Sequence, residues 1–421
     1  MTGQYWRATV GRGIVTSPPG HSLGGYAART EPSTGVADQL EVNVMVLREP
    51  GADPATGVGW IAIDALAITE PLRQSLLDIL SPRLGLPPDR LLCLASHTHS
   101  APTGWIGTIH PVLPAAVEPE LLGQLESALQ ALEFTEHQVR LSVGEATIDG
   151  VGSNRHRPDG PHDNTTRVLR LDSIGDSGPV AVFYDFACHP TVLGPGNLSM
   201  SADWVGAARS ALRTALGLPG LPVVFGQGCA GDVSPRFHRQ GRDVTEVSRL
   251  GGLVASRLLH ALQHTSDVTA GGLTLSRDRF RIAGRTDAAQ PPMSAGPKTF
   301  PDRVAASFEE GRLARAAMLG TTLPDMVDLA VSTVRVGNIR WLHLPVELTT
   351  SLGADITATH PDTRIIGYTD DYRGYVADTD AHTAGHYEAS SSFLDAAGSQ
   401  QLVRLCQTQL AQPDERYTTS T

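Results

Sequence analysis

The run Leu91-Leu92-Cys93-Leu94-Ala95 is unbrokenly apolar, and Ser96-His97-Thr98-His99-Ser100 follows it directly. Its shortness and the preceding Pro87-Pro88-Asp89 fit a buried strand that delivers a polar segment to a sheet edge. Histidines at i and i+2 of an extended segment point the same way, so both can address one site. Neutral imidazole is a favoured ligand of Zn²⁺, which makes metal or catalytic duty one reading. Two polar residues in a surface turn is the other, and the segment alone does not choose between them.

The same arrangement recurs along the chain. The apolar run 180–186 leads to Cys188-His189-Pro190-Thr191, where the proline holds the backbone before it extended. The run 221–225 leads to Gln227-Gly228-Cys229-Ala230-Gly231-Asp232-Val233-Ser234-Pro235. Glycines there permit close backbone approach, and the hydroxyl can serve as nucleophile or oxyanion donor. Ser234 is followed by proline, so this is not the nucleophile elbow of the α/β-hydrolases. The run 339–344 leads to Pro345-Val346-Glu347-Leu348, in which Glu347 is either a helix-start charge or a buried carboxylate with a partner. A fifth segment runs from Asp370-Asp371-Tyr372-Arg373-Gly374-Tyr375 to His386-Tyr387-Glu388 and is rich in tyrosine. Each segment taken singly has a plain structural explanation. Four of them lie just beyond a short apolar strand, where α/β sheets collect their ligand sites, and together they point to a common site.

Working outward, helical spacing of apolar residues marks helices over 70–84, 119–132, 202–216, 243–262 and 302–319. Strands are expected over 40–47, 59–65, 139–148 and 166–171, and Gly337-Asn338 suits the turn of a hairpin between 329–336 and 339–344. Three Gly/Pro/polar stretches, 151–164, 283–299 and 368–392, read as linkers or lids, and the first two are expected to shape a pocket. Strands and helices interleave throughout without a repeat. The expected architecture is therefore α/β, a large mixed β-sheet core flanked by helices, in a single domain over 1–421.

Composition narrows the function. The 421 residues are 41% apolar, enough for a sizeable core. The net charge of −11, from 33 basic and 44 acidic residues, excludes a general nucleic-acid binder and disfavours an anionic membrane surface. Lys298 is the single lysine, a composition that fits a high-GC, bacterial genome. No segment has 18 consecutive apolar residues, so no integral membrane segment is expected. The N-terminus lacks a basic region followed by an apolar one, and Cys93, Cys188, Cys229 and Cys406 show neither metal-finger nor disulfide spacing. A cytoplasmic protein is the expectation.

In order, Gly11-Arg12-Gly13-Ile14, Gly24-Gly25-Tyr26-Ala27, His97-Thr98-His99-Ser100 with Pro102, Asn154-Arg155, His189-Pro190-Thr191, Gly231-Asp232-Val233-Ser234-Pro235, Pro345 and Glu347 with Thr349-Thr350, and Tyr375 with Tyr387-Glu388 form a pattern. This pattern resembles the catalytic domain of the neutral (non-lysosomal) ceramidases, which are zinc-dependent amidases. The resemblance spans nearly the whole chain. It implies that His97, His189, Glu347 and Tyr375 ligate Zn²⁺, with His99, Arg155, Ser234 and Tyr387 as catalytic groups around it. An N/O shell of this kind leaves a position for a water whose pKa the metal lowers from about 15.7 to roughly 7.

The implied reaction is hydrolysis of the amide bond of a small N-acyl substrate, with the zinc-bound water as nucleophile. Tyr387 and Arg155 would donate to the developing oxyanion, and His99 would carry a proton to the leaving amine. Ser234 either positions the water and oxyanion or is itself a covalent nucleophile; Asp232 is expected to hold its loop through backbone N–H groups. The family's C-terminal immunoglobulin-like domain, of ~100 residues, is not expected in the short stretch after Glu388. Different flanks around Ser234 and an aromatic content of 5% point to an amide other than ceramide. Two further readings share these residues. One is an esterase, lactonase or acyl-transfer and cyclisation enzyme on the same zinc site. The other is a non-catalytic binding protein, against which the eight matching site residues weigh.

Overall fold

The computed structural model describes residues 5–412 apart from 112, 176–177, 269–271, 287–311, 313–315 and 319–320. A large mixed sheet organises the chain. Its strands run in the order Val223–Gln227, Pro179–Phe186, Thr165–Ser173, Phe134–Thr147, Trp6–Ile14, Glu41–Arg48, Val58–Ile63 and Leu91–Ala95, with Ser266–Asp267 beside Phe134–Thr147. The pairs at the two ends are parallel and those between are antiparallel.

Over strands Glu41–Arg48, Val58–Ile63 and Leu91–Ala95 both faces of the sheet are covered, and these strands are buried on both sides. The pleat sorts their side chains by parity. Val42, Val44, Val46, Ile61, Ile63, Leu91, Cys93 and Ala95 pack with helices Glu70–Leu84 and Pro119–Gln130. Met45, Leu47, Trp60, Ala62, Leu92 and Leu94 face the other way, onto Val334, Val336, Trp341 and Ile366. Those residues belong to a second sheet, ordered Leu273–Ala283, Met326–Val336, Ile339–His343 and Thr363–Ile366. Helices Asp203–Leu216 and Val244–Gln263 cover the remaining strands beside the first two helices.

One feature of this topology positions the site. The edge strands Leu91–Ala95 and Val223–Gln227 lie at opposite ends of the strand order, yet both contact the segment 367–370. Gly367 N–H donates to Gln227 O at 2.8 Å, Ala95 N–H donates to Tyr368 O at 3.2 Å, and Asp370 N–H donates to Cys93 O at 2.8 Å. The segment thus occupies edge hydrogen-bonding groups that would otherwise be exposed, and it brings the ends of the two strands together.

Most expected elements are present within a few residues, including Leu91–Ala95 and Glu70–Leu84 with the expected bounds. Most of the helix expected over 302–319 and most of the loop 283–299 lie outside the described residues. The stretch 368–392 is not a linker. It carries the strand Tyr375–Val376 and the short helices Thr379–Ala384 and Tyr387–Ser390, and much of it is buried. In 151–164, Ser153–Asn154 pairs with Val233–Ser234. Among the described residues, no helix is long and apolar enough to cross a membrane.

A buried ionic network fastens helix Asp203–Leu216 to the sheet. Arg213 donates to both oxygens of Glu41 at 2.7 and 2.8 Å, and Arg209 pairs with Asp64. Burial alone would raise the Glu41 carboxyl, but Arg209, Arg213 and Arg12 outweigh it and hold the group well below the ordinary 4.5. Its folded pKa is depressed, so its stabilisation is complete above about pH 4.5 and is lost as pH falls below that. Glu41→Gln leaves buried guanidinium charge partly unmatched and should lower unfolding stability by about 3–5 kcal/mol at pH 7. Chemical denaturation of both proteins across pH checks this: the gap should shrink below about pH 4.5, and a pH-independent gap would contradict the assignment.

Candidate metal centre and its cleft

Four chain segments converge where the ends of the edge strands meet. His97 follows strand Leu91–Ala95 but is not in extended backbone. Its φ is +65°, in the left-handed region that a non-glycine residue seldom enters, which corrects the expectation of an extended His-x-His segment. The two rings converge all the same, with centroids 5.0 Å apart. His97 is fixed by its N–H to Ala65 O and its Nδ1 to Leu66 O at 2.6 Å.

His189 follows strand Pro179–Phe186, and its Nδ1 meets Ala230 O at 2.7 Å. Its own carbonyl accepts from Trp204 Nε1, while the Asp203 carboxylate accepts the Val192 and Leu193 N–H groups just beyond it. Asp203, Tyr368 and Asp370 also have positive φ. Among the described residues, the four non-glycine residues with positive φ therefore all lie in or brace the converging segments, as strain at functional sites does.

Glu347 resolves the alternative left by its sequence: it is buried and has partners. Its strand Glu347–Leu348 pairs with Tyr375–Val376, setting Glu347 opposite Tyr375. Its Oε2 lies 3.4 Å from His97 Nε2 and 3.2 Å from His189 Nε2. Tyr375 Oη is 3.5 Å from His189 Nε2, and His99 Nε2 is 3.3 Å from His97 Nε2. The Tyr372 hydroxyl donates to Glu347 Oε1 and that of Tyr368 to Oε2. Burial raises the Glu347 carboxyl, but positive charge shared with His97 and His189 outweighs it and holds the group well below its ordinary range. Burial, reinforced by the adjacent imidazoles, keeps His99 neutral.

The donor set suits a divalent cation. With Nδ1 of His97 and of His189 directed at backbone carbonyls, each Nε2 presents its lone pair to the centre, the tautomer a metal ligand requires. Carboxylate and imidazole lone pairs facing one another within 3.2–3.4 Å need a positive charge between them. The spacing also matches the ~3.3 Å edge of a tetrahedron with 2.0–2.1 Å bonds, the bond lengths of zinc to N and O. Burial and Glu347 push the Tyr375 phenol well above its ordinary value, so it ionises only beside a cation. His99 differs from the other two. It belongs geometrically to the group His97, His99 and His189, but among the described residues its buried Nδ1 has no hydrogen-bond partner. It lacks the anchor that orients ligand histidines.

The remaining expected residues surround this centre. Arg155 Nε bonds Glu388 Oε1 at 2.5 Å, and its guanidinium lies 5.4 Å from the Tyr375 ring and 5.2 Å from the Tyr387 ring. Among the described residues its buried Nη2 has no hydrogen-bond partner. Ser234, Arg155, His99, His189, Tyr375 and Tyr387 line one cleft. His97, Glu347 and Tyr372 line an adjoining pocket together with His99, Tyr375 and Tyr387.

Asp232 does not act through its own loop's N–H groups, as expected from sequence. Its Oδ1 accepts from Thr350 N and Oγ1 at 2.8 and 2.9 Å, and its Oδ2 accepts from Asn154 Nδ2 at 2.9 Å. It ties three motif segments together. Gly231 lets the loop approach, since a Cβ there would meet Leu348 O at 2.8 Å.

Tyr368 and Glu388 carry roles that the sequence reading did not assign. A cluster of tyrosines close to a lone buried-looking acid was the available signal for the first; for the second it was an acid next to a motif tyrosine. His156 and His386 join Glu388 in a second group of possible ligands, but the Arg155 cation already takes that carboxylate.

Gly25, at φ +94°, packs on His99, and a Cβ there would meet its Cγ at 2.3 Å. Gly25→Ala should displace His99, leave metal content unchanged and lower turnover about a hundredfold. Metal analysis and steady-state kinetics on the same preparation check it; loss of metal would place His99 in the ligand shell.

The fold and site together describe an α/β protein with a buried His/Glu centre opening into a cleft. No protein-family model matches the chain, and no curated protein sequence matches it. Solved structures do. A neutral ceramidase from Pseudomonas aeruginosa superposes with a TM-score of 0.76 at 16% identity, over 100% of this chain and 77% of that one. A structure titled "Ceramidase complexed with C2" gives 0.74 at 16% identity with the same coverage. The chain has a neutral ceramidase-like fold.

Proposed function

We propose that the chain is a zinc-dependent hydrolase of an N-acyl amide bond, working as one catalytic unit, with an amide other than ceramide as its substrate. The observation that carries this reading is the convergence of His97 Nε2, His189 Nε2 and Glu347 Oε2 at 3.2–3.4 Å, with both imidazole Nδ1 atoms directed at backbone carbonyls. The ceramidase-like fold supports it independently.

His97, His189, Glu347 and Tyr375 hold the metal, whose chemistry there is to polarise an amide carbonyl and acidify a water. Arg155 offers Nη2, and Tyr387 its hydroxyl, to the oxygen on which charge develops. Glu388 keeps the Arg155 guanidinium in place. His99, neutral and unanchored at Nδ1, takes and returns the proton that reaches the leaving amine. Among the described residues no base hydrogen-bonds the Ser234 hydroxyl, whose contact is with Arg236 N–H at 3.4 Å. That favours oxyanion or water positioning for Ser234 over covalent attack, which needs a base within reach. The four unpaired cysteines, three of them buried, fit a reducing compartment, and we place the protein in the cytoplasm.

The test is hydrolysis of N-acyl amines beside the matched esters, before and after chelation. Amide cleavage lost on chelation and restored by zinc is expected. Ester cleavage without amide cleavage would replace the amidase reading, and chelator-insensitive activity would remove the metal from it.

A further inference from the structure

We infer that His156 is a positioning residue: acting through the Glu388 carboxylate, it keeps one guanidinium donor of Arg155 unclaimed at the wall of the cleft. The use of that donor on an oxyanion rests on the amidase reading; the arrangement that frees it does not. Carboxylate and guanidinium commonly meet as a fork, with two parallel N–H···O bonds joining two nitrogens to two oxygens. For a carboxylate on the Nε side, those nitrogens are Nε and Nη2. Glu388 makes only half of this pair. Its Oε1 accepts from Arg155 Nε at 2.5 Å, while Nη2, also buried, has no hydrogen-bond partner among the described residues. The Oε2 that would complete the fork is held by His156, whose Nε2 lies 2.8 Å from it and 2.9 Å from Oε1.

Burial raises the Glu388 carboxyl, but Arg155 and His156 outweigh burial and hold it well below its ordinary range. The group is therefore ionised and only accepts, so the His156 Nε2 carries a proton and donates it. His156 is itself fixed. Its backbone N–H donates to Asn154 Oδ1 at 3.0 Å, and Asn154 Nδ2 donates to Asp232 Oδ2 at 2.9 Å. Its ring stacks on that of His386, with centroids 3.8 Å apart and planes 13° from parallel. On the other side, Arg155 N–H donates to Asp232 O at 2.7 Å, and the guanidinium lies over the Tyr375 and Tyr387 rings. With backbone and ring planes set, rotation of the carboxylate is the freedom that remains, and the His156 bonds block it. Without them Oε2 can turn to Nη2 and close the fork, which withdraws from the cleft the donor that Arg155 would offer a substrate oxygen.

The test is steady-state kinetics of the zinc-loaded protein on an N-acyl amine. His156→Ala should lower kcat about tenfold to a hundredfold with KM and zinc content little changed. His156→Gln, whose amide can still donate to Oε2, should recover most of that loss. In an Arg155→Ala background, His156→Ala should cost less than about twofold more, because the two residues act as a unit. An undiminished cost in that background, or a folded His156→Gln no more active than His156→Ala, would overturn the proposal. The side-chain nitrogen NMR signals of Arg155, assigned by their loss in Arg155→Lys, read the arrangement without catalysis. They should shift in His156→Ala as Nη2 gains a carboxylate partner. That shift in a protein that cleaves no amide keeps the positioning role and sinks the amidase. Amide cleavage with neither the shift nor a change in kcat does the reverse.

Discussion

Glu347→Gln and His97→Ala are each expected to purify without stoichiometric zinc and to cleave amides at least about a thousandfold more slowly, the equivalent of about 4 kcal/mol of transition-state stabilisation. Glu347 supplies the full negative charge of the donor set, and its Oε2 is the atom both imidazoles approach. The amide of Gln preserves the shape and one acceptor for Tyr368 or Tyr372, so loss of fold does not explain the loss of metal. Stability provides a second readout. A ligand that binds only the folded chain raises Tm, and zinc should do so for the wild type and not for Glu347→Gln. A wild type that binds no zinc and gains no Tm from it would remove the metal centre from the account.

The residues of that centre were more legible in sequence than their convergence. His97, His189 and Ser234 each follow an apolar strand run short enough to read directly, and the site residues fall where those strands end. What sequence could not supply was the closure that joins them. It depends on the segment 367–370 contacting both edge strands, and on Tyr368 and Asp370 adopting positive φ, for which Tyr gives no signal and Asp only a weak one. The expectation of an extended His-x-His failed for the same reason, since His97 takes its backbone conformation from the loop around Ala65 and Leu66.

The missed elements share a different cause. Trp6–Ile14 interleaves Arg and Gly with its apolar positions, and Leu273–Ala283 alternates apolar residues with Ser, Arg and Asp. Helix Ala396–Ala411 is rich in Gln and buries a narrow stripe of Leu402, Val403, Cys406 and Leu410. In each, packing against a neighbour outweighs a weak local pattern. The buried network of Glu41, Asp64, Arg209 and Arg213 was likewise invisible, because its pairs are more than a hundred residues apart.

Ser234→Ala is expected to lower kcat about 10²–10³-fold with little change in KM or zinc content, the size of effect that removal of one oxyanion-type donor produces. The hydroxyl sits where Val233–Ser234 pairs with Ser153–Asn154, one residue from Arg155, so it faces the cleft from rigid backbone. A positioning role and a covalent role differ in what accumulates. If Ser234 were acylated, rapid mixing with an activated N-acyl anilide would release a burst of amine equal to the enzyme before the steady state. No burst is expected here, because no His or carboxylate among the described residues is bonded to Oγ to take its proton. In the proposed mechanism water attacks directly, and Ser234, Arg155 and Tyr387 would act together on one developing charge. Their losses should therefore be strongly non-additive: once Ser234 is gone, Tyr387→Phe should cost far less than it does alone. A burst, or an acyl group found on Ser234 by mass spectrometry, would move the serine from positioning to nucleophile while leaving the metal centre intact.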